Sequence, residues 1–578
     1  MKTIQEVRVG KDTGTYADVL LAVGVASLLD ELAHAVSRDN SVTIEDLGDA
    51  YLVRGTMPIN LEVENGIGPG YLYLLDKPGD PLRPEIASSY FDYVEEKKRR
   101  DQAKQATKQR KASKVVEADP GQEPSPKLSM FAILNKLRSG SPSFNKMHAL
   151  LRQYADRLPI ACALYLPLMH NPTALAESEE TWEQELDKAT ASLQFFNPIV
   201  GKGIHRPKPD GTGLGGYGGR THWFVQWLRL RGFDSAMAAY WINNEDVKVL
   251  VLTPGHIEFS RLRELRDRLL ARRLWGNLRL DCEAALDLGE ELIAHSEHFL
   301  GPTAYRRPKR RLNQVVQGLS SAYFKSLGAG LALTNVAFLG LPGWLPVTNT
   351  ENAKDWLDTI TEHRRVVRRL QEDHSDEVGL LLRYRDFISS GQLSDALEFF
   401  SSYAAHLMGA QRRPSFTTPN LRRLFMSYDE NDKPQELSQI ISDEGFLAVA
   451  TAIRRVTVSE QYRKAITGRQ EYEIRYGLAQ EWKRKAKFRD EFVCELSAFA
   501  ASFNAESARR REQGHWAYAA LTTDQLGRLI RLIDAQGTEL IGLLLLAFGY
   551  AREDRSDEAG STENTSGDGE NITQVVNP

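Results

Sequence analysis

The sequence predicts an α+β N-terminal body, mostly helical, followed by an all-α C-terminal helical bundle. Three observations predict it. A run that is apolar on several faces, Tyr16 to Ala33, precedes two short strand-like runs, VTIEDL and AYLVRG. A Val/Leu-rich segment, VKVLVLTP from Val247, reads as a buried strand among helices. Phe492, Leu496, Phe499 and Phe503 then draw one apolar helical stripe, and Thr522 and Gln525 are spaced as a capping box opening the last helices.

Residues 1–96 form the N-terminal α/β region, with a further strand-like run, YLYLLD, from Tyr71. Residues 97–127 read as a disordered insertion. Nine of the 18 residues 97–114 are Lys or Arg and no apolar face is present; EADPGQEPSPK follows. Its functional reading is a sequence-blind grip on phosphates, and its bland reading a solvated linker. Residues 128–400 form a middle α/β region. LSMFAILNKLRSG, FNKMHALLRQYADRL, HWFVQWLRLRGF and the basic SRLRELRDRLLARRLW read as helices, and YRRPKRRL from Tyr305 is a second basic cluster. Residues 401–552 read as all-helical, and 553–578, with seven acids and one Arg, as a disordered acidic tail. No internal repeat is visible.

A chain of 578 residues exceeds one ordinary core and implies several domains. The net charge of −4 advertises no polyanion, so any nucleic-acid site must be a local basic patch. Cys162, Cys282 and Cys494 are scattered without a CxxC, which disfavours a Cys-based zinc site and suits a reducing cytoplasm. The N-terminus MKTIQEVRVGKDTG has no apolar signal core, and Leu540 to Phe548 covers about half a membrane span. The expectation is a cytoplasmic protein without a membrane anchor.

Catalytic signatures fail in turn. Gly219-Arg220-Thr221 mimics the end of a phosphate-binding loop, but Leu214 replaces its first Gly and its Lys is absent. Gly213-x-Gly215-x-x-Gly218 follows Lys208-Pro209-Asp210-Gly211 and not a strand, against a dinucleotide site. His295 and His298 stand at i, i+3 with no evident third ligand, so two surface histidines are the plainer reading. No His-Asp pair, polymerase-like acidic pair or GxSxG occurs. Neither cofactor nor metal nor catalytic residue is expected.

What remains is the segment 195–220, FFNPIVGKGIHRPKPDGTGLGGYGGR, with eight glycines from Gly201 to Gly219. Glycines let backbone N–H groups approach a phosphate or a groove floor. Lys202, His205, Arg206, Lys208 and Arg220 supply charge, Asn197 suits a base edge, and Tyr217 suits stacking; His222 and Trp223 follow. Gly215 and Gly216 sit at the densest point. The alternative is a surface loop with incidental basic residues. A second basic run, Lys483, Arg484, Lys485 and Lys487 with Arg489, reads as a solvated helix face or as a track for single-stranded DNA.

Phe196-Asn197-Pro198 with Gly201-Lys202-Gly203 resembles the FNP…GKG segment of large subunits of type I CRISPR surveillance (Cascade) complexes. TYADVLLAVGVASLLDEL, THWFVQWLRLRGF and the helical end LIRLIDAQGTELIGLLLLAFGYAR are similar to the same group, so the resemblance covers most of residues 15–552. It implies a non-catalytic subunit that reads a protospacer-adjacent motif (PAM), helps open the duplex and stabilises the R-loop. Asn197, Lys202 and the glycines of 211–219 become the PAM-region candidates. The implied partners are guide crRNA, target double-stranded DNA and its displaced strand, backbone and 5′-handle subunits, and a helicase–nuclease or a transposition protein in trans. A separate small subunit by internal initiation at Met408 or Met426 is a further expectation. The alternatives are a metal-dependent nuclease using His295 and His298, and a structural interaction protein without DNA contact.

Overall fold

The computed structural model describes residues 3–553 except 62–66, 76–89, 114–123, 137–156, 179–189, 192–219, 301–309, 328–330, 411–413, 430–436 and a few other positions. The chain divides into two compact units, residues 1–354 with 388–390, and residues 355–387 with 391–578. The first is α+β and the second helical, as the residue pattern predicts.

In the first unit, β1 (Thr3–Gly10) leads into α1 (Tyr16–Val36), then β2 (Val42–Asp46) and β3 (Ala50–Asn60). Thr15 caps α1 by accepting the Ala17 N–H, and the Asp18 carboxylate accepts the Thr13 N–H. Almost every side chain of α1 from Tyr16 to Ala33 is buried, so apolar residues on all faces are required. Its length and composition would suffice to cross a membrane; here most of it is buried inside the protein. The sequence reading missed β1, whose inward set is only Val7 and Val9.

The basic segment after residue 96 departs from expectation. α2 (Tyr93–Ser113) is a helix through most of it. Lys, Arg, Gln and Ala are strong helix formers, and Glu95 and Glu96 complement the helix N-terminus while pairing with Lys98 and Arg99. A helix therefore needs no apolar face there. Arg100 also lies over the Trp241 ring at 5.2 Å, which ties this turn to the body. α3 (Leu128–Lys136) follows as predicted; residues 137–156 and the insertion 114–123 lie outside the described residues.

α4 (Trp223–Ala236) realises the aromatic run, with Phe224, Trp227, Leu228 and Phe233 fully buried. It crosses α1 backbone to backbone. A Cβ at Gly24 would lie 1.8 Å from the Leu228 carbonyl oxygen, and one at Gly232 would lie 1.9 Å from that of Leu20. Arg231, buried beside this crossing, donates to the carbonyls of Ser27 and Gly68 at 2.9 Å and to Glu31 at 2.7 Å. Gly232→Ala is expected to lower the stability of this unit by about 1–3 kcal/mol, because two helix backbones must separate to admit one methyl. Gly343, with nothing within 4 Å of its Cβ position, supplies the control. Equal melting temperatures for G232A and G343A would disprove the tight crossing.

β4 (Met237–Ile242), β5 (Asp246–Pro254) and β6 (His256–Glu258) come next. α5 (Phe259–Ala271), α6 (Leu278–Ala294) and α7 (Ser296–Leu300) then precede β7 (Val316–Ser326) and β8 (Leu331–Gly340). Two antiparallel sheets result, ordered β1-β3-β2-β6 and β8-β7-β5-β4. β5 and β6 are separated only by Gly255, so one turn feeds both sheets. β5 is buried along nearly its whole length, matching its Val/Leu composition.

The second unit contains α8 (Thr350–Arg369), α9 (Ser375–Ser390), α10 (Leu393–Ala410) and α11 (Thr418–Asp429), the first two reaching slightly past its bounds. α12 (Glu444–Arg454) continues through a π-helical turn, Arg455–Ser459, into α13 (Glu460–Thr467). α14 (Leu478–Lys485), α15 (Arg489–Glu512), α16 (Thr523–Gln536) and α17 (Thr538–Gly549) complete it. The capping box at Thr522 and Gln525 is present, and the stripe Phe492, Leu496, Phe499 and Phe503 is buried. The boundary read at 401 falls inside α10. The unit begins earlier because His363, Tyr384, Phe387, Phe399, Phe400 and Phe416 share one ring cluster, with the imidazole 4.9 Å from Phe416. Burial pushes the His363 pKa down to about 3, so its ring is neutral there. Met408 is buried in α10 and Met426 lies in α11, so a chain begun at Met426 would lack that cluster's first helices. The tail 554–578 lies outside the described residues.

Candidate nucleic-acid interface

Asn197, Lys202, His205, Arg206, Lys208, Gly215, Gly216 and Tyr217 lie outside the described residues. The flanks of their segment are described. Arg220 and Thr221 pair antiparallel with Ala191 and Thr190, which places the two described ends of the segment side by side. α4 starts directly afterwards and anchors that return point through its buried aromatic face.

The strand-track reading of 483–489 meets its acids. Lys483 Nζ lies 2.7 Å from Glu398 Oε1 and 2.8 Å from Ser402 Oγ. Lys485 pairs with Glu481 at 3.1 Å and with Glu495, and Arg489 Nε lies 2.7 Å from Asp534. Hydrogen bonds that Lys485 donates to Glu495 and Glu481 raise its pKa above its ordinary value. Of this row, Arg484 and Lys487 are the two without an ion pair among the described residues; both are exposed and both precede exposed Phe488. The row's acids come from α10, α15 and α16 as well as α14, and only the fold brings them together. Trp482 lies fully buried beneath, edge-on to Phe492 and Phe499 at ring distances of 5.1 and 5.5 Å.

The basic helix α5 is neutralised in the same way. Arg268 bridges Glu264 and Glu291, Arg272 reaches Glu291 at 2.6 Å, and Arg261 pairs with Glu258. His298 Nε2 completes this ladder 2.6 Å from Glu264, while His295 stands 3.6 Å from Glu291. Partial burial raises the Glu264 pKa, but hydrogen bonds with His298 and Arg268 hold its carboxyl below the usual range. The two histidines thus serve different carboxylates, His295 as the C-cap of α6 and His298 within α7. Among the described residues no group of three or more His, Cys, Asp or Glu is placed to hold a metal.

A third basic region escaped the sequence reading. After Arg509-Arg510-Arg511 ends α15, the loop His515–Tyr518 carries Trp516, which is 61% exposed. Arg455, Arg463, Arg510 and Arg511 all contact this loop. The signal was three consecutive arginines followed within five residues by an indole, although arginines in a last helical turn are also explained by the helix dipole.

No protein-family model matches the chain, and no curated protein matches it.

Proposed function

We propose that the chain is the non-catalytic large subunit of an RNA-guided type I CRISPR complex, with residues 195–220 as its duplex-reading element. The reading rests above all on the Gly-rich, basic segment that follows Phe196-Asn197-Pro198 and is clamped at its base by the pairing of Ala191 with Arg220. Paired ends suit a groove-reading segment, because they hold position while glycines allow backbone N–H groups to approach phosphates. In this division of labour guide crRNA reads the target by base pairing, and the protein reads the PAM and holds the opened strands. Backbone and 5′-handle subunits carry the guide, and a helicase–nuclease or a transposition protein acts in trans. The setting is cytoplasmic. An internally initiated small subunit from Met408 or Met426 belongs to the same proposal.

The two contact types predict different behaviour. Lys202→Ala is expected to weaken binding to every duplex and to lower the salt slope by about one. Asn197→Ala is expected to cost on the order of 1–3 kcal/mol on the preferred motif alone. Titration of the full chain against a duplex library in rising salt measures both. Deletion of 211–219 with unchanged affinity and motif preference would refute the assignment.

A further inference from the structure

The loop after α15 holds its tryptophan outward by construction. Arg510 Nε donates to the Trp516 carbonyl at 3.1 Å, and Arg511 Nη2 to the Tyr518 carbonyl at 2.6 Å. The Tyr518 N–H donates to Tyr472 Oη at 2.8 Å, and Asn504 exchanges two hydrogen bonds of 2.8 Å with Leu521. Tyr518 is buried beneath, edge-on to the Trp516 ring at 4.6 Å. An indole on so fixed a backbone could have been buried with Tyr518, yet 61% of it faces solvent.

Its surroundings are cationic. Arg455 stacks over Tyr518 at 4.4 Å, Arg463 donates to the Tyr518 hydroxyl at 3.2 Å, and Arg510 lies over Tyr472 at 5.0 Å. Glu471 answers Arg463 and Arg510, and the buried Glu460 lies 3.8 Å from Arg463. Arg455 and Arg511 have no carboxylate partner among the described residues, so four guanidiniums face two carboxylates. In the 483–489 run Lys483, Lys485 and Arg489 are matched by acids while Arg484 and Lys487 are not among the described residues, but the indole of that run, Trp482, is fully buried where Trp516 faces solvent.

We propose that Trp516, with Arg455, Arg463, Arg510 and Arg511, is a stacking platform for single-stranded nucleic acid. A base lies on the indole and the flanking phosphates lie on the unmatched guanidiniums. Every base offers a π face, so such a platform is indifferent to sequence. An acidic peptide would satisfy the arginines but would leave the outward indole without a role. The inference deepens the proposed function by naming where an opened strand is held, and it rests on that reading for the strand's origin.

The test uses the full chain and fluorescence anisotropy with labelled dT20, rU20 and a 20-bp duplex. Trp516→Ala is expected to lose about tenfold or more in single-strand affinity, and Trp516→Phe to stay within about threefold of wild type. Arg455→Gln with Arg511→Gln is expected to flatten the salt slope by about one unit. Comparison of dT20 with rU20 assigns the strand to DNA or RNA. No single-strand binding by the wild type, or equal binding by W516A and wild type, overturns the platform, as does W516F failing as badly as W516A. Duplex motif preference is read separately, so its absence would sink the PAM reading while W516A still reports on the platform. Unchanged melting temperatures of the variants, expected for an exposed ring, exclude misfolding.

Discussion

Trp482→Ala is expected to destabilise the helical unit by about 3–5 kcal/mol, lowering its melting temperature by on the order of 10 °C. The indole is fully buried, and α14, which carries it, packs against α10, α15 and α17. Removing it leaves a large cavity beside Phe492 and Phe499, which cannot collapse inward because both belong to the rigid stripe of α15. The indole Nε1 is buried with no hydrogen-bond partner among the described residues. Trp482→Phe should therefore cost clearly less than the lost volume alone suggests, since it also removes an unsatisfied donor worth about 1–3 kcal/mol. Calorimetry of both variants gives the comparison. An alanine variant that melts with wild type would mean the four helices do not share one core.

Lys248→Met is expected to be comparably harmful in the α+β unit, at about 3–5 kcal/mol. Lys248 interrupts the apolar strand β5, and its ammonium is buried 2.7 Å from the Asp281 carboxylate, itself buried. The same ammonium donates to the Asn277 carbonyl and side-chain oxygens at 2.8 Å. It thereby pins β5 to the start of α6. Methionine fills the stem's volume but takes the ammonium away from the buried carboxylate of Asp281. Adding Asp281→Leu should restore much of the loss, because replacing both members of a buried pair by apolar groups is often close to neutral. Denaturant titration of the single and double variants measures the coupling; strictly additive losses would show that the pair does not interact.

Both predictions rest on residues whose sequence context hid their role. Trp482 sits inside the run EWKRKAKFR, where charge dominates, and Lys248 sits inside VKVLVLTP, where apolar residues dominate. Local pattern made the second segment a strand, as found, and the first a helix, which in fact breaks between Lys485 and Arg489. It carried no sign that the indole is the centre of a helical core, or that the lysine has a carboxylate partner more than thirty positions away. Residues 97–113 show the converse failure. Lack of an apolar face suggested disorder, while helix propensity and the Glu95–Lys98 and Glu96–Arg99 pairs produce a helix.

By itself the sequence determined the class of the fold, the buried helix α1, the strands β2, β3 and β5, the stripe of α15 and the cap at Thr522. Each of these is written in a period of two or 3.6 residues, in an unbroken apolar run as for α1 and β5, or in a short capping motif, and so depends only on near neighbours. The tertiary structure decided which cations remain available to a ligand. The charge of a lysine or arginine is legible in the chain, but its neutralisation by Glu398, Asp534 or Glu291 depends on helices distant in sequence meeting in space. The same holds for Trp516. Its outward pose is set by Arg510, Arg511 and Tyr472, and the other two arginines at its loop, Arg455 and Arg463, come from helical segments more than fifty residues earlier in the chain.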